Sequence, residues 1–434
     1  MTIKTNLLKY TPIFLLLSSV PACAQVHVVA PSEPATVGFD AQRLEKLNVA
    51  MDNLVTAGQL SGAVTVLARH GEIVNIGVYG RQDIDTQTDM QANSVFRLYS
   101  MTKPITGVAM MILYEDGLWH PDDPLSSHIP EFADLKVFAG IDEDGKVITE
   151  ELARQPTLGE LMSHTAGFTY GPPIADSPVD RLYAEANPMG AGNLQDLIDI
   201  LAGIPLQYQP GTAWRYSISV DIQGYLVEKL SGMSLPDFMQ ARIFNPLRMT
   251  DTGFNVPESK LDRLATVYRF DNEAGRLAPM PRAANVTEIP GAALGGIGLY
   301  STAQDYYRFA QMLANGGELE GARILSPSTI ELMRTNRLSD ELMHGGYGIG
   351  VQQIRPGFGF GLDVAVFTNP AATGSTIGEG AYLWDGAAGT WFWIDPTNDV
   401  VFIGMIQRMG GMRPVNIQQL TRSLVYQALA QPDL

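Results

Sequence analysis

Cysteine is nearly missing from this chain of 434 residues: Cys23 is the only one. A single thiol permits no internal disulfide, no thiolate zinc site and no cysteine nucleophile beyond any role of Cys23 itself. Positive charge is scarce too. Lys and Arg number 29 against 46 Asp and Glu, a net charge of −17, which opposes binding to nucleic acid or to anionic lipid. Past the first residues, no hydrophobic run reaches the roughly 20 residues that span a bilayer. There is no low-complexity tract and no internal repeat, and 45% apolar against 17% charged residues describe a globular chain.

Whole catalytic classes are also missing. No Gly-x-Ser-x-Gly elbow supports an α/β-hydrolase triad. No His-Glu-x-x-His occurs, and the six histidines are scattered, so a zinc site has no support. Asp142-Glu143-Asp144-Gly145-Lys146 places a lysine where a calcium loop needs its fifth-position ligand, and reads as a turn. No glycine-rich phosphate loop is present. No metal and no cofactor is therefore expected.

What is present begins with a leader. Lys4 and Lys9 precede the apolar stretch Ile13 to Leu17, and Ala22-Cys23-Ala24 offers a small-residue cleavage site. Residues 1–24 are expected to act as a signal peptide for export to the periplasm or medium. Pro21 sits where a lipoprotein signal usually has a small or hydroxyl residue, which disfavours a lipid anchor at Cys23. Further on, Phe39 to Thr56 spaces Leu44, Leu47, Met51 and Leu54 as one face of a helix. Gly62 to Arg69 and Glu72 to Tyr79, around His70-Gly71, form a hairpin. Helical and loop-rich sequence follows to about Arg334, including a helix at Val220 to Lys229, and Phe168 to Pro205 reads as a long irregular segment of the kind that forms lids. Short strands return at Ala381–Trp384, Trp391–Ile394 and Val400–Ile406, before a closing helix from about Val415 to Leu429. The pattern predicts an α+β fold: an antiparallel sheet from both chain ends, flanked by helices, with an inserted helical subdomain. One domain over residues 25–434 is expected, its α/β part at about 36–95 and 336–434 and its mostly helical part at about 96–335.

Ser100-Met101-Thr102-Lys103-Pro104 opens a helix whose apolar face includes Val108, Met111 and Ile112. Residues three apart share a face, so Ser100 and Lys103 point the same way. Proline is tolerated only in a first turn, which puts Ser100 near the N-terminus, where the helix dipole favours a developing alkoxide. A serine three residues before a lysine also arises as an ordinary N-cap, but this is the only such pair in the chain.

Ser100 to Lys103 resembles the Ser-x-x-Lys nucleophile motif of penicillin-binding proteins and serine β-lactamases. Pro210 to Ser217, with Tyr216, is similar to that superfamily's second motif, whose tyrosine faces the nucleophile. Leu161-Met162-Ser163-His164-Thr165-Ala166-Gly167 resembles its segment beside the pocket, with His164 as a structural histidine. Trp384-Asp385-Gly386 holds the third-motif place. The resemblance runs from about Phe39 to the C-terminus and comes nearest to the β-lactamase-like carboxylesterases of family VIII.

That resemblance implies Ser100 as nucleophile, Lys103 and Tyr216 as its proton-transfer partners, and the backbone N–H groups of Ser100 and Ala387 as the oxyanion hole. Phe168, Tyr170, Trp384 and Gly386 are expected to contact a small-molecule ester substrate. Two departures bear on that substrate. Trp384-Asp385-Gly386 replaces Lys-Thr-Gly, removing the cation that greets a β-lactam carboxylate, and Ile218 replaces the asparagine of Tyr-x-Asn. Both favour neutral esters, with β-lactams as a side activity if Arg408 or Arg413 supplies a cation. A β-lactamase or D-alanyl-D-alanine peptidase stays open on the same site, as does a non-catalytic binding protein on this fold, against which the intact Ser100, Lys103 and Tyr216 speak.

Overall fold

The computed structural model describes residues 27–29, 31–174, 176–283, 285–344, 348–349, 352–353, 357–410 and 416–431. The leader with Cys23, and Arg413, lie outside the described residues. One antiparallel sheet of nine strands forms the centre. The first end of the chain supplies β1 (His27–Val29), β2 (Gly62–Arg69) and β3 (Glu72–Asp83). The last supplies β4 (Phe358–Phe360), β5 (Ala365–Phe367), β6 (Tyr382–Asp385), β7 (Trp391–Asp395) and β8 (Val400–Met405). Their order is β1-β3-β2-β8-β7-β6-β5-β4, with the short strand Thr88–Asp89 beside β3. The α+β class and the sheet built from both ends agree with the expectation from sequence.

Local chemistry explains the turns. His70 and Gly71 both take positive φ, 52° and 76°, the handedness that closes a two-residue hairpin between twisted strands. The β7–β8 turn is held by Asp395 Oδ1, which accepts the N–H of Thr397 at 3.0 Å and of Asn398 at 3.2 Å. β2 and β8 join the two ends of the chain, in register from Val400 opposite Arg69 to Met405 opposite Val64. Every residue of both strands is buried, which is why they read as near-continuous apolar runs rather than alternating ones.

Helices cover both faces. α1 (Ala41–Thr56) and the closing helix α5 (Ile417–Ala428) pack on each other, while α4 (Ala303–Ala314) lies on β2, β7 and β8. Successive strand residues point to opposite faces: Phe392 meets Tyr306 of α4 at 5.2 Å, and Trp393 lies under Arg422 of α5 at 5.9 Å. Between β3 and β4 the chain is mostly helical, and its two central helices, α2 (Lys103–Glu115) and α3 (Ser219–Ser231), pack together.

The long irregular segment expected at Phe168 to Pro205 is a misreading. It contains helices at Pro178–Ala186 and Leu194–Ala202. Ser177 and Asp180 form a capping box, and Asn193 accepts the Asp196 N–H, so each helix begins on a side chain that satisfies its first free donors. The Asp142 to Lys146 turn closes a hairpin, Lys136–Ile141 with Val147–Glu151, and Asp142 Oδ1 accepts the N–H groups of Asp144 and Lys146.

The sheet core depends on aromatic contacts across strands. Trp393 and Phe402 sit opposite one another in the β7–β8 register and stack at 4.2 Å, 7° from parallel. Both are fully buried. Phe402→Ala is expected to lower stability by about 3–5 kcal/mol, seen as an earlier denaturation midpoint, whereas Val49→Ala on the exposed side of α1 should leave the midpoint nearly unchanged.

Candidate active site

The site begins where an edge of backbone turns into a core helix. Tyr99–Thr102 is a 3-10 turn that runs directly into α2. Lys103 is the first residue of α2 and Pro104 the second, a position where the missing N–H is not needed. Tyr99, immediately before Ser100, has φ +50°, a left-handed conformation that costs a non-glycine residue roughly 1–2 kcal/mol. This geometry puts Lys103 Nζ 3.4 Å from Ser100 Oγ. All of α2 from Lys103 to Leu113 is buried, and Lys103 itself is 1% exposed.

Tyr216 arrives from the loop that leads into α3. That loop is tied to the 164–169 segment by the Arg215 N–H to His164 O and the Ile218 N–H to Thr169 O. The result is a Tyr216 hydroxyl 2.6 Å from Ser100 Oγ. His164 supports it: Nδ1 lies 3.0 Å from Ser217 Oγ, and the ring centroid lies 5.1 Å from that of Tyr216. Burial, reinforced by nearby Lys103, holds the imidazole well below its ordinary pKa, so it is neutral. Trp384 braces Tyr216 from another side at 5.6 Å and touches Phe360 at 5.4 Å.

The third side comes from the end of β6. Thr390 Oγ1 donates to Leu98 O at 3.1 Å. A Cβ on Gly386 would lie 2.1 Å from the same carbonyl, so only glycine lets this strand end approach the turn carrying Ser100. Gly386, expected at the substrate, is thus a close-approach residue. It is followed by the exposed Ala387. Neither the Ser100 nor the Ala387 backbone N–H has an acceptor among the described residues.

Around the lysine lies a network that the sequence analysis did not single out. Lys103 Nζ donates to Gly296 O at 2.9 Å and contacts the Tyr170 hydroxyl at 3.1 Å. It also lies over the rings of Tyr216 (4.7 Å) and Tyr170 (5.2 Å). The Tyr170 hydroxyl donates to Asp221 Oδ2 at 3.2 Å, and the Gly296 N–H donates to Asp221 Oδ1 at 2.9 Å. Desolvation pushes the amine down to about 8, with Asp221, Asp363 and Asp385 pulling it back up. Desolvation moves Tyr216 the other way, well above the ordinary phenol range, against the opposing effect of its hydrogen bond with Ser100 Oγ. Tyr170 is therefore a partner of the lysine rather than a pocket wall. Phe168 is not at the site: its ring packs on Phe132 at 5.6 Å in the core. Arg408 directs its guanidinium to Gln59 and over Phe270.

Comparison with known proteins bears on this arrangement. A family model described as beta-lactamase matches residues 47–425. The chain belongs to the β-lactamase family. This β-lactamase-family serine hydrolase is 31% identical to Esterase EstB of Burkholderia gladioli, over 84% of this chain and 90% of that protein. It is 30% identical to the lovastatin esterase of Penicillium rubens, over 81% and 90%. Its fold is similar to simvastatin synthase of Aspergillus terreus, with TM-score 0.76, 23% identity, and coverage of 89% and 98%.

One buried acid beside the site generates a test. Asp363 lies against α2 at Gly107 and accepts Gln223 Nε2 at 3.0 Å. Its Oδ2 and Gln223 Oε1 have no partner among the described residues. Burial holds this carboxyl well above the carboxylate range, with Gln223 and Lys103 opposing. A raised acid pKa means the folded state binds its proton more tightly than the unfolded chain, so stability falls as pH rises from the ordinary range toward the folded value. Asp363→Asn mimics the neutral acid. It should match or exceed the wild-type melting temperature at pH 8, with a shallower fall between pH 6 and 8; a steeper fall would contradict this.

Proposed function

We propose that this protein is a carboxylesterase that hydrolyses short-chain carboxylic esters through an acyl-enzyme on Ser100. One observation carries the reading: Tyr216 and Lys103 both converge on Ser100 Oγ while their proton affinities are displaced in opposite directions. The phenol keeps its proton and donates to Oγ. The Ser100 proton then points to the lysine, whose amine is displaced far enough to accept it near neutral pH. Oγ attacks the ester carbonyl and its proton passes to Lys103. The Ser100 and Ala387 N–H groups stabilise the oxyanion, each such donor being worth about 10²–10³ in kcat. Tyr216 protonates the departing alkoxide and is re-protonated from Lys103. Water then attacks the acyl-enzyme by the reverse route, releasing the acid and restoring Ser100.

The ester preference rests on Trp384-Asp385-Gly386 and Ile218, where cation and amide are replaced, and the relatives named esterases support it. The leader at residues 1–24 supports export to the periplasm or medium. β-Lactams are expected as slow side substrates.

The decisive assay is hydrolysis of p-nitrophenyl esters of graded chain length, alongside nitrocefin, by wild type and Ser100→Ala. Short esters should be fastest, nitrocefin slow, and the variant inert. Nitrocefin faster than every ester would make it a β-lactamase instead. Because the neutral amine is the base, kcat/KM for the butyrate ester should rise with pH and level off above about 8; a profile flat from pH 6 to 9 would remove Lys103 from that role.

A further inference from the structure

A tetrahedral amine can serve as a base toward Ser100 only if its lone pair faces Ser100, and the packing around Lys103 bears on that orientation. Nζ has three positions besides its carbon. One meets Gly296 O at 2.9 Å, one meets the Tyr170 oxygen at 3.1 Å, and the third faces Ser100 Oγ at 3.4 Å. A carbonyl can only accept. A phenol can accept or donate, and if Tyr170 donated to the neutral amine it would occupy the lone pair that Ser100 needs.

We propose that Asp221 is the positioning residue for this reaction: one carboxylate oxygen takes the Tyr170 hydroxyl proton, so the phenol presents only an acceptor to Lys103, and the other holds the Gly296 N–H, fixing the residue whose carbonyl is the amine's second acceptor, so that the lone pair is left to Ser100. The inference rests on the esterase reading above. Asp221 is fully buried, and its two oxygens are matched to these two donors. A Cβ on Gly296 would lie 2.7 Å from Asp221 Oδ2 and 2.8 Å from the Tyr170 hydroxyl, so this backbone is pressed into the network. Asp221 is not in direct contact with the amine. Acting through Tyr170 and Gly296, it supports the geometry without forming the ion pair that would keep the lysine protonated.

The other groups facing the amine define what a test must separate. Asp363 comes from the β4–β5 turn and Asp385 from the end of β6; each acid favours the ammonium when ionised, as Asp221 does, while burial raises the Asp221 carboxyl and holds that of Asp363 well above the carboxylate range, with Lys103 opposing both. Tyr170 and Tyr216 stay protonated, and His164 is neutral.

Asp221→Asn and Tyr170→Phe should be assayed for kcat, KM and the pH profile of kcat/KM, with folding checked by thermal melting. In Asp221→Asn the amide places a donor against Tyr170 or against the Gly296 N–H. The kcat should fall about 10–100-fold with KM little changed, while the acid limb moves to lower pH because a negative charge is gone. An amine that is more often unprotonated and yet slower is an outcome a purely structural role does not give. Tyr170→Phe keeps the charge and removes the acceptor: kcat should fall similarly, without a downward shift of the limb. Folded variants with wild-type kcat, or an Asp221→Asn limb that stays in place, would overturn the proposal. If Asp221→Asn fails to fold, Tyr170→Phe decides alone, and wild-type kcat there overturns it. Ser100→Ala separates the two levels: turnover in that variant removes the esterase reading, whereas an inert Ser100→Ala beside two wild-type-like variants removes only the positioning role.

Discussion

A lysine amine with 1% of its surface exposed loses its hydration in either protonation state, and the residues around Ser100 are arranged around that loss. A free lysine has a pKa of about 10.4, and a fully buried one without compensation falls to about 5–6. Lys103, at about 8, lies between them. Two acceptors and two aromatic faces supply part of the missing solvation, and the carboxylates of Asp221 and Asp385 stabilise the charge from a distance. Among the described residues none of those carboxylates forms an ion pair with Lys103. A direct pair would hold the proton, and no carboxylate at all would leave the amine neutral but weakly basic.

Holding this arrangement requires backbone that proteins usually avoid. Tyr99, His164 and Asp363 are non-glycine residues at φ +50°, +58° and +60°. Tyr99 precedes the nucleophile, His164 braces Tyr216, and Asp363 lies against α2. Such residues cost about 1–3 kcal/mol each and persist where the surroundings over-determine them. Here those surroundings include the Leu98 N–H bonded to Leu299 O and the Asp363 N–H bonded to Met162 O. His164 Nε2 and Asp363 Oδ2 are also buried without partners among the described residues. These three strained residues and two unsatisfied atoms lie at or beside the chemistry, while the sheet, with its fully buried central strands, provides stability that tolerates them.

Much of this was legible in sequence, and the boundary of what was legible is physical. Ser100 and Lys103 are neighbours in the chain, so helical spacing alone brings them together. Tyr216 was found through its motif, since no periodicity relates it to Ser100. Tyr170 is legible as a residue of the site, but its task is not, because a tyrosine's hydroxyl partner is set by tertiary packing. Asp221 went unnoticed although a signal existed: it sits among Val220, Ile222, Leu226 and Val227, a carboxylate on a helix buried nearly all round. Gly296 leaves no signal beyond belonging to a glycine pair. The helices at Pro178 and Leu194 were missed because glycine and proline nearby outweighed the capping signals of Ser177 and Asn193.

The seam between β2 and β8 has a consequence in time. Arg69 pairs opposite Val400, so the hairpin made early in synthesis has an unsatisfied edge until the last tenth of the chain emerges. At ribosomal rates of about 5–20 residues per second, that interval is roughly 20–60 s. Throughout it, a strand pair rich in valine, isoleucine and alanine presents its open edge to any other chain nearby. The protein's most exposed moment therefore comes during its own synthesis, and chains that stop short of Val400 never leave it.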